Sequence, residues 1–466
     1  MAAAMPTSSA PVGHTDRQTV APAIVNLTTL TGRATCLASG FIYGWPDNGT
    51  SASTAIPSSL VTGIHFRANR AGGAQLPAPA LGWAAGGYDG YIGRFDSALS
   101  NYRTTRLYGG TFILLPHDLW GADGKQDGSS IFPGDNGDWT EMEAFWTQVV
   151  KDLKENDMLE ELVIDVWNEP DIDSFWDRSW EQYLEYWTRA VRLLRAELPG
   201  TLLSGPSTSA SPRIPTSTQW SSYLALLAGA GNDTIPDIYA WHQLSDLDTE
   251  PDVTIPTFHS LLEQYGLPPS QHNIDINEYA WPTEQNPGAS AWYMGQLERN
   301  EARGLRAHWG TASGLHDSMA NMIYPLPVEE EGQGIDGSNY KKNGEWYVYD
   351  YYKAMSDGPD TQRVSTTASG DRKFDLFATS DGAVVKLLAG TRSVDGDYVI
   401  QVNGLPATAG SEVSVRAIRF DWAGPVADTG PSVDLGITTY QVEGGSLTIP
   451  VPAKSSIAYA FEIELA

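Results

Sequence analysis

Between about residues 38 and 312, short apolar runs alternate with helical patterns, and few folds accommodate that rhythm. The runs are "SGFIYG" (39–44), "GIHFRANR" (63–70), "TFILLPHD" (111–118), "LVIDVWNEP" (162–170), "TLLSGPS" (201–207), "DIYAWHQL" (237–244), "NIDINEYA" (273–280) and "LRAHWG" (305–310). Between them, Met142, Phe145, Trp146, Val149, Val150 and Leu153 recur at i, i+3, i+4 spacing, as do Trp180, Tyr183, Leu184, Trp187, Val191 and Leu194. Strand–helix alternation predicts a parallel sheet, and eight strands predict a closed (β/α)8 TIM barrel, an α/β fold.

The barrel is expected over residues 37–350. Beyond it the helical period disappears. "KFDLFATS", "AVVKLLAG", "DYVIQVNG", "SEVSVRAIRFDW", "ITTYQVEGG", "SLTIPVP" and "SSIAYAFEIEL" are strands separated by turn residues, which predicts an appended antiparallel β-sandwich over 351–466. Residues 19–36 also read as strand and are expected to join it, after a flexible tail at 1–18.

The 466-residue chain carries a formal net charge of −28, with no basic run and no Lys/Arg-rich helix. Nucleic acid and anionic membranes are therefore not expected partners. No apolar run is long enough to span a bilayer. Cys36 is the single cysteine, so an internal disulfide and a cysteine metal site are both ruled out. The first residues lack the charged start and apolar core of a signal peptide. The acidity fits a soluble extracellular chain whose signal has been removed, expected to act as a monomer. The Asn-x-Ser/Thr sites at Asn26, Asn48 and Asn232 are about as many as chance gives.

Two strand ends carry chemistry. "VIDVWNEPD" (163–171) brings Glu169 to the end of the fourth strand, and "DINEYAWP" (275–282) brings Glu278 to the end of the seventh. Each glutamate follows an asparagine, and a proline stops the strand within a few residues. Barrel active sites lie at the C-terminal strand ends, and strands four and seven face each other there. Two carboxyls so placed could flank one sugar ring at the ~5–5.5 Å of retaining glycoside hydrolysis. Glu169 sits among apolar neighbours, and desolvation raises a carboxyl pKa, which suits a proton donor. Asp165 lies four residues down the same strand and is expected to be internal structure. A single Asn-Glu after a strand is usually just a solvated turn, and it is the second copy that favours catalysis.

The "WNEP" and "NEY" motifs resemble those of the clan A glycoside hydrolases. The order of elements, over roughly residues 38–466, is most similar to glycoside hydrolase family 39, which includes β-xylosidases and α-L-iduronidases. The resemblance implies Glu169 as acid/base, Glu278 as nucleophile and Asn168 as the residue that binds the sugar 2-hydroxyl. His242 in "IYAWHQL" resembles the clan's histidine at the end of strand six, with a buried structural histidine as the other reading. Many relatives place a tyrosine two residues later, and here that position is Leu244.

Weaker substrate-binding candidates come from residue type and position. Trp309, near the end of strand eight, is a candidate sugar platform. His117, Asp118 and Trp120 in "PHDLWG" follow the third strand and suggest sugar hydroxyl contacts. The first two have no third ligand at a helpful spacing, so a metal is not expected. Arg67 or Arg70, on or after strand two, is expected to keep the nucleophile ionised or to form an ordinary salt bridge. The Gly/Tyr-rich segment 82–95, with Trp83, Tyr88 and Tyr91, reads as a loop walling the cleft. The expected activity is retaining hydrolysis of a poly- or oligosaccharide without cofactor or metal. A transglycosylase and a glycan-binding protein without turnover are the alternatives.

Overall fold

Eight short parallel strands close into a barrel in a computed structural model that describes residues 20–465, apart from 125, 127, 128, 245–248, 271, 272, 308–314 and 317. The expected tail 1–18 and Trp309 lie outside the described residues. Strand β1 (Ala23–Arg33) precedes the barrel, whose strands are β2 (Gly40–Ile42), β3 (Ala68–Ala71), β4 (Thr111–Leu114), β5 (Leu162–Asp165), β6 (Leu202–Thr208), β7 (Ile238–Gln243), β8 (Ile274–Tyr279) and β9 (Arg303–Arg306). Neighbours pair in sequence order, and β2 pairs with β9 to close the ring. The glutamates at strands four and seven thus follow β5 and end β8.

The helices that clothe the barrel are α1 (Ser58–Gly63), α2 (Trp83–Leu107), α3 (Pro116–Trp120), α4 (Thr140–Glu155), α5 (Trp180–Glu197), α6 (Thr218–Ala230), α7 (Pro251–Tyr265), α8 (Pro287–Arg299) and α9 (Gly344–Ser356). Sequence periodicity finds α4 and α5, and their apolar rows are buried. Local chemistry starts several others. Ser179, Ser217, Asn286 and Asn343 each accept a backbone N–H from the first turn of the helix they cap. The segment 82–95 corrects an expectation, because it is the first half of α2 and not a loop. Gly86 and Gly87 break the helix locally, and Tyr91 beyond them is buried with its hydroxyl donating to Asp152 at 2.9 Å. Burial against α4 overrides the poor helix propensity of so many glycines.

A short hairpin of β10 (Ile323–Pro325) and β11 (Tyr340–Lys342) precedes α9. The second sheet contains β1 with β12 (Gln362–Thr367), β13 (Phe374–Ser380), β14 (Val384–Thr391), β15 (Gly396–Asn403), β16 (Glu412–Phe420), β17 (Val433–Gln441), β18 (Ser446–Ala453) and β19 (Ala458–Glu464). Its order is β17-β16-β19-β14-β13-β12-β1-β15-β18, antiparallel except where β1 runs parallel to β15. Inward residues from both ends of the sheet, such as Val415 and Ile449, share one core with Leu376 and Ile400. The sheet therefore folds over on itself as a sandwich.

The outer face of that sandwich rests on the barrel. Phe377, Leu388, Phe420 and Ala460 belong to the barrel's apolar cluster instead of their own sheet's. Helix α8 lies between the two bodies and is buried along almost its whole length. Close approach explains two glycines: a Cβ on Gly295 would stand 2.8 Å from the Leu376 carbonyl, and one on Gly390 would stand 2.0 Å from that of Gly288. Half-buried Arg299 pairs with Asp252 at 2.8 Å and also with Asp375 of β13.

Candidate active site

The chain leaves β5 and continues beside β6, with Val166 N–H donating to Ser204 O and Glu169 N–H donating to Ser207 O at 2.9 Å. Glu169 then adopts a left-handed φ of 43°, and Pro170 follows. This turn aims successive side chains differently. Trp167 packs outward against Trp176 and Tyr186, while Asn168 reaches into the barrel. On the opposite wall, the pairing of β8 shifts register on both sides, against β7 near His242 and against β9 after Ile276. Asn277 and Glu278 are adjacent, yet Asn277 reaches Asp165 and Glu278 reaches Arg70, both within the barrel. A bulge is what re-aims neighbours in this way.

Arg70, fully buried on β3, ties the walls together. Its Nε donates to Asp165 Oδ2 at 2.8 Å, one Nη to Glu278 Oε1 at 2.8 Å and the other to Asn168 Oδ1 at 2.7 Å. Asp165 also accepts from Ser207 Oγ at 2.6 Å and Asn277 Nδ2 at 3.0 Å. A buried guanidinium needs such partners to offset its desolvation. The floor of the site is therefore a fixed polar network with Arg70 at its centre.

Above that floor, Glu169 and Glu278 keep 12% and 13% of their side chains exposed. His242, fully buried on β7, lies between them, with Nδ1 2.9 Å from Glu169 Oε1 and Nε2 3.7 Å from Glu278 Oε1. One donor atom from each of the three residues falls within 4.8 Å of the others. Burial, reinforced by the charge of Asp171, pushes the Glu169 carboxyl up to about 7. Burial also pushes His242 below the ordinary imidazole range, so the ring is neutral near pH 7. A neutral ring carries one N–H. The Nδ1 contact with Glu169 is a hydrogen bond whose direction follows the tautomer, whereas Nε2 makes no hydrogen bond.

Among the described residues, this triad is the one group of His, Cys, Asp and Glu side chains close enough to share an ion. The ring points a different nitrogen at each glutamate, and an ion can take only one of them. The ring hydrogen-bonds Glu169 through Nδ1 at 2.9 Å and stands 3.7 Å from Glu278.

Other expected site residues divide. His117 Nε2 lies 3.0 Å from Asp118 Oδ1, and both are buried. Burial alone would raise Asp118, yet His117, Tyr43 and Arg94 hold it below the usual carboxylate range. Trp120 is buried edge-on against Phe145, and its N–H donates to Ile131 O at 2.9 Å. It contributes to the wall of a cavity of about 450 Å³ with Gln75, Leu81, Arg94 and Phe132. Arg67 is a correction. It precedes β3 and lies with Leu37, Thr111, Glu161 and Arg303 at the N-terminal end of the barrel, the end opposite the glutamates. Arg70 meets Glu278 in its place. Leu244 offers no hydroxyl, and Glu278 Oε1 is held by Arg70. Ser207, Asn277 and Tyr43 were not evident from sequence. Asn277 precedes Glu278 as Asn168 precedes Glu169, and that repetition was the available signal.

No family model and no curated protein matches the chain. Solved structures do. N2152 from Neocallimastix frontalis is 21% identical with a TM-score of 0.71, covering 96% of this chain and all of that one. A glucosidase from Croceicoccus marinus is 15% identical with a TM-score of 0.58, covering 96% of this chain and 99% of its own. A family 39 glycoside hydrolase from Xanthomonas axonopodis pv. citri is 15% identical with a TM-score of 0.53, covering 98% of this chain and all of its own. Barrel and sandwich together are a fold shared with glycoside hydrolases of families 30, 39 and 44.

Proposed function

We propose that this chain is a retaining glycoside hydrolase acting on a poly- or oligosaccharide. The observation that carries the reading is the pair itself: two carboxyls with oxygens within 4.8 Å, one pushed up to about 7 by burial and the other paired with a buried arginine at 2.8 Å. Inverting enzymes separate their acids by about 6.5–9.5 Å to admit a water, and retaining enzymes by about 5–5.5 Å. Structures of the same fold include a xylanase, a xyloglucanase and an endoglucanase.

Glu278 attacks the anomeric carbon while Glu169 gives its proton to the departing glycosidic oxygen. Arg70 holds Oε1 of Glu278 at 2.8 Å, which leaves Oε2 to form the glycosyl bond. Glu169, now ionised, takes a proton from water as that water displaces Glu278 from the sugar. Asn168, steadied by Arg70, binds the 2-hydroxyl, and His117 and Asp118 contribute hydroxyl contacts. The reaction is complete with two carboxylates and water. The net charge of −28 favours a neutral glycan over a polyanionic one, met outside the cell.

A panel of aryl β-glycosides beside neutral polysaccharides identifies the substrate. Proton NMR of the first-formed product then reads the stereochemistry. Retention of the substrate's anomeric configuration is expected, and a first product of inverted configuration would require a base where Glu278 is placed as nucleophile.

A further inference from the structure

Asp165 ends β5, and its side chain is fully buried beside the equally buried Arg70. Arg70 Nε and Asn277 Nδ2 donate to its Oδ2 at 2.8 and 3.0 Å, and Ser207 Oγ donates to its Oδ1 at 2.6 Å. Asn277 also donates to Ser207 Oγ at 2.8 Å, so the carboxylate and two of its donors form a closed ring. With no exposed surface, Asp165 cannot touch a substrate.

The charges on this floor do not cancel. One guanidinium, on Arg70, faces two carboxylates, those of Asp165 and Glu278, at 2.8 Å each. His242 is neutral near pH 7 and adds no charge. Burial opposes the charge of Arg70, and Asp165 and then Glu278 more than offset that opposition. One acid would balance an arginine whose task was only to anchor Glu278. The second acid matters when the reaction removes the first. In the glycosyl-enzyme an electron pair of Glu278 Oε2 has become the bond to the anomeric carbon. The pair of the old glycosidic bond has left with the departing oxygen, and the charge of Glu278 is gone. A buried guanidinium without a counter-charge is costly, and Asp165 is the acid that remains.

We propose that Asp165 is a positioning residue, a permanent second counter-ion that shares Arg70 with Glu278 and keeps Arg70 paired while Glu278 is an ester. The proposal rests on the glycosidase reading of Glu169 and Glu278. In the resting enzyme Asp165 draws on Arg70, so Glu278 keeps more of its charge for attack. In the glycosyl-enzyme it leaves no unbalanced cation to pull the electron pair back onto Oε2. Removing the charge of Asp165 therefore slows formation of the ester and does not slow its hydrolysis.

The full-length Glu169→Ala protein separates the two steps with the dinitrophenyl glycoside of the sugar that the unmutated enzyme cleaves. Dinitrophenolate leaves without a proton, and the ester then waits for unactivated water. The first release of dinitrophenolate reads ester formation, and the slow phase that follows reads hydrolysis. Adding Asp165→Asn should slow the first phase about tenfold and leave the slow phase as fast as before or faster. A slowed second phase, or an unslowed first one, overturns the proposal. So does a Glu169→Ala protein with no first phase while the unmutated enzyme cleaves glycosides, and the wider reading then stands. If the unmutated enzyme cleaves no glycoside at all, that reading falls and the proposal with it. Should Asp165→Asn fail to fold, the melting temperature of Glu278→Gln decides. Gln mimics the uncharged ester, so with Asp165 in place this protein should melt close to the unmutated one, and melting well below it overturns the proposal.

Discussion

Glu169 carries the sharpest consequences at the scale of single residues. Its proton is held to about pH 7, against an ordinary value of 4.5. A general acid must be protonated to act, so kcat/KM should fall as pH rises through about 7. The charge of Asp171 contributes to the upward shift. Asp171→Asn should therefore move that limb to lower pH, while its single amide oxygen keeps an acceptor for one of the two backbone N–H groups, of Ser209 and Ala210, that the carboxylate serves. A pH–rate profile in which the limb stays or moves up would contradict the assignment. The same burial has a stability signature. A raised folded-state pKa stabilises fully below the unfolded value near 4.5, and that contribution is lost as pH rises through about 7. Glu169→Gln should accordingly raise Tm more at pH 8 than at pH 4, as differential scanning calorimetry can show.

Individual elements show how far the sequence is legible. Paired Asn-Glu motifs at two strand ends are visible because a barrel mouth requires strands to stop there, and proline stops them. Arg67 reads as a mouth residue because the apolar run 63–70 reads as one strand. The strand itself is only β3, and residues 58–63 form α1, so three positions separate the bottom of the barrel from Arg70 near its top. The bulges beside His242 and Glu278 have no sequence signal, since they arise where strand register must change. The glycine-rich half of α2 reads as a loop because packing against neighbouring helices, not local propensity, makes it helical. Helix α8 offers a test at this scale. Gly295→Ala would press a methyl onto the Leu376 carbonyl, and overpacking of this kind costs about 1–3 kcal/mol. A lower Tm is expected, and an unchanged one would mean that α8 and β13 can separate at little cost.

The molecule as a whole behaves as one packed body. β1 comes from the N-terminal side of the barrel but pairs between β12 and β15, and sandwich residues complete the barrel's apolar cluster. Ending the chain at residue 350 would remove both partners of β1 and bare α8. Residues 1–350 alone should be insoluble or molten, and a soluble, fully active fragment would show that the sandwich is dispensable. Prolonged EDTA treatment should leave activity unchanged. Loss on chelation, restored by one particular ion, would mean that Glu169, His242 and Glu278 hold a metal. No helix among the described residues is long and apolar enough to cross a membrane.

The assignment of the two glutamates is the centre of the account, and azide tests it most directly. Glu169→Ala removes the proton donor, yet a dinitrophenyl glycoside needs no proton to lose its leaving group. The glycosyl-enzyme then lacks a base to activate water. Azide needs no base and can enter the space the side chain vacates. In Glu169→Ala, azide should speed turnover and give a glycosyl azide of the substrate's own anomeric configuration. Glu278→Gln, without a nucleophile, should give none. A retained glycosyl azide from the Glu278 variant and not from the Glu169 variant would show that the two roles are reversed.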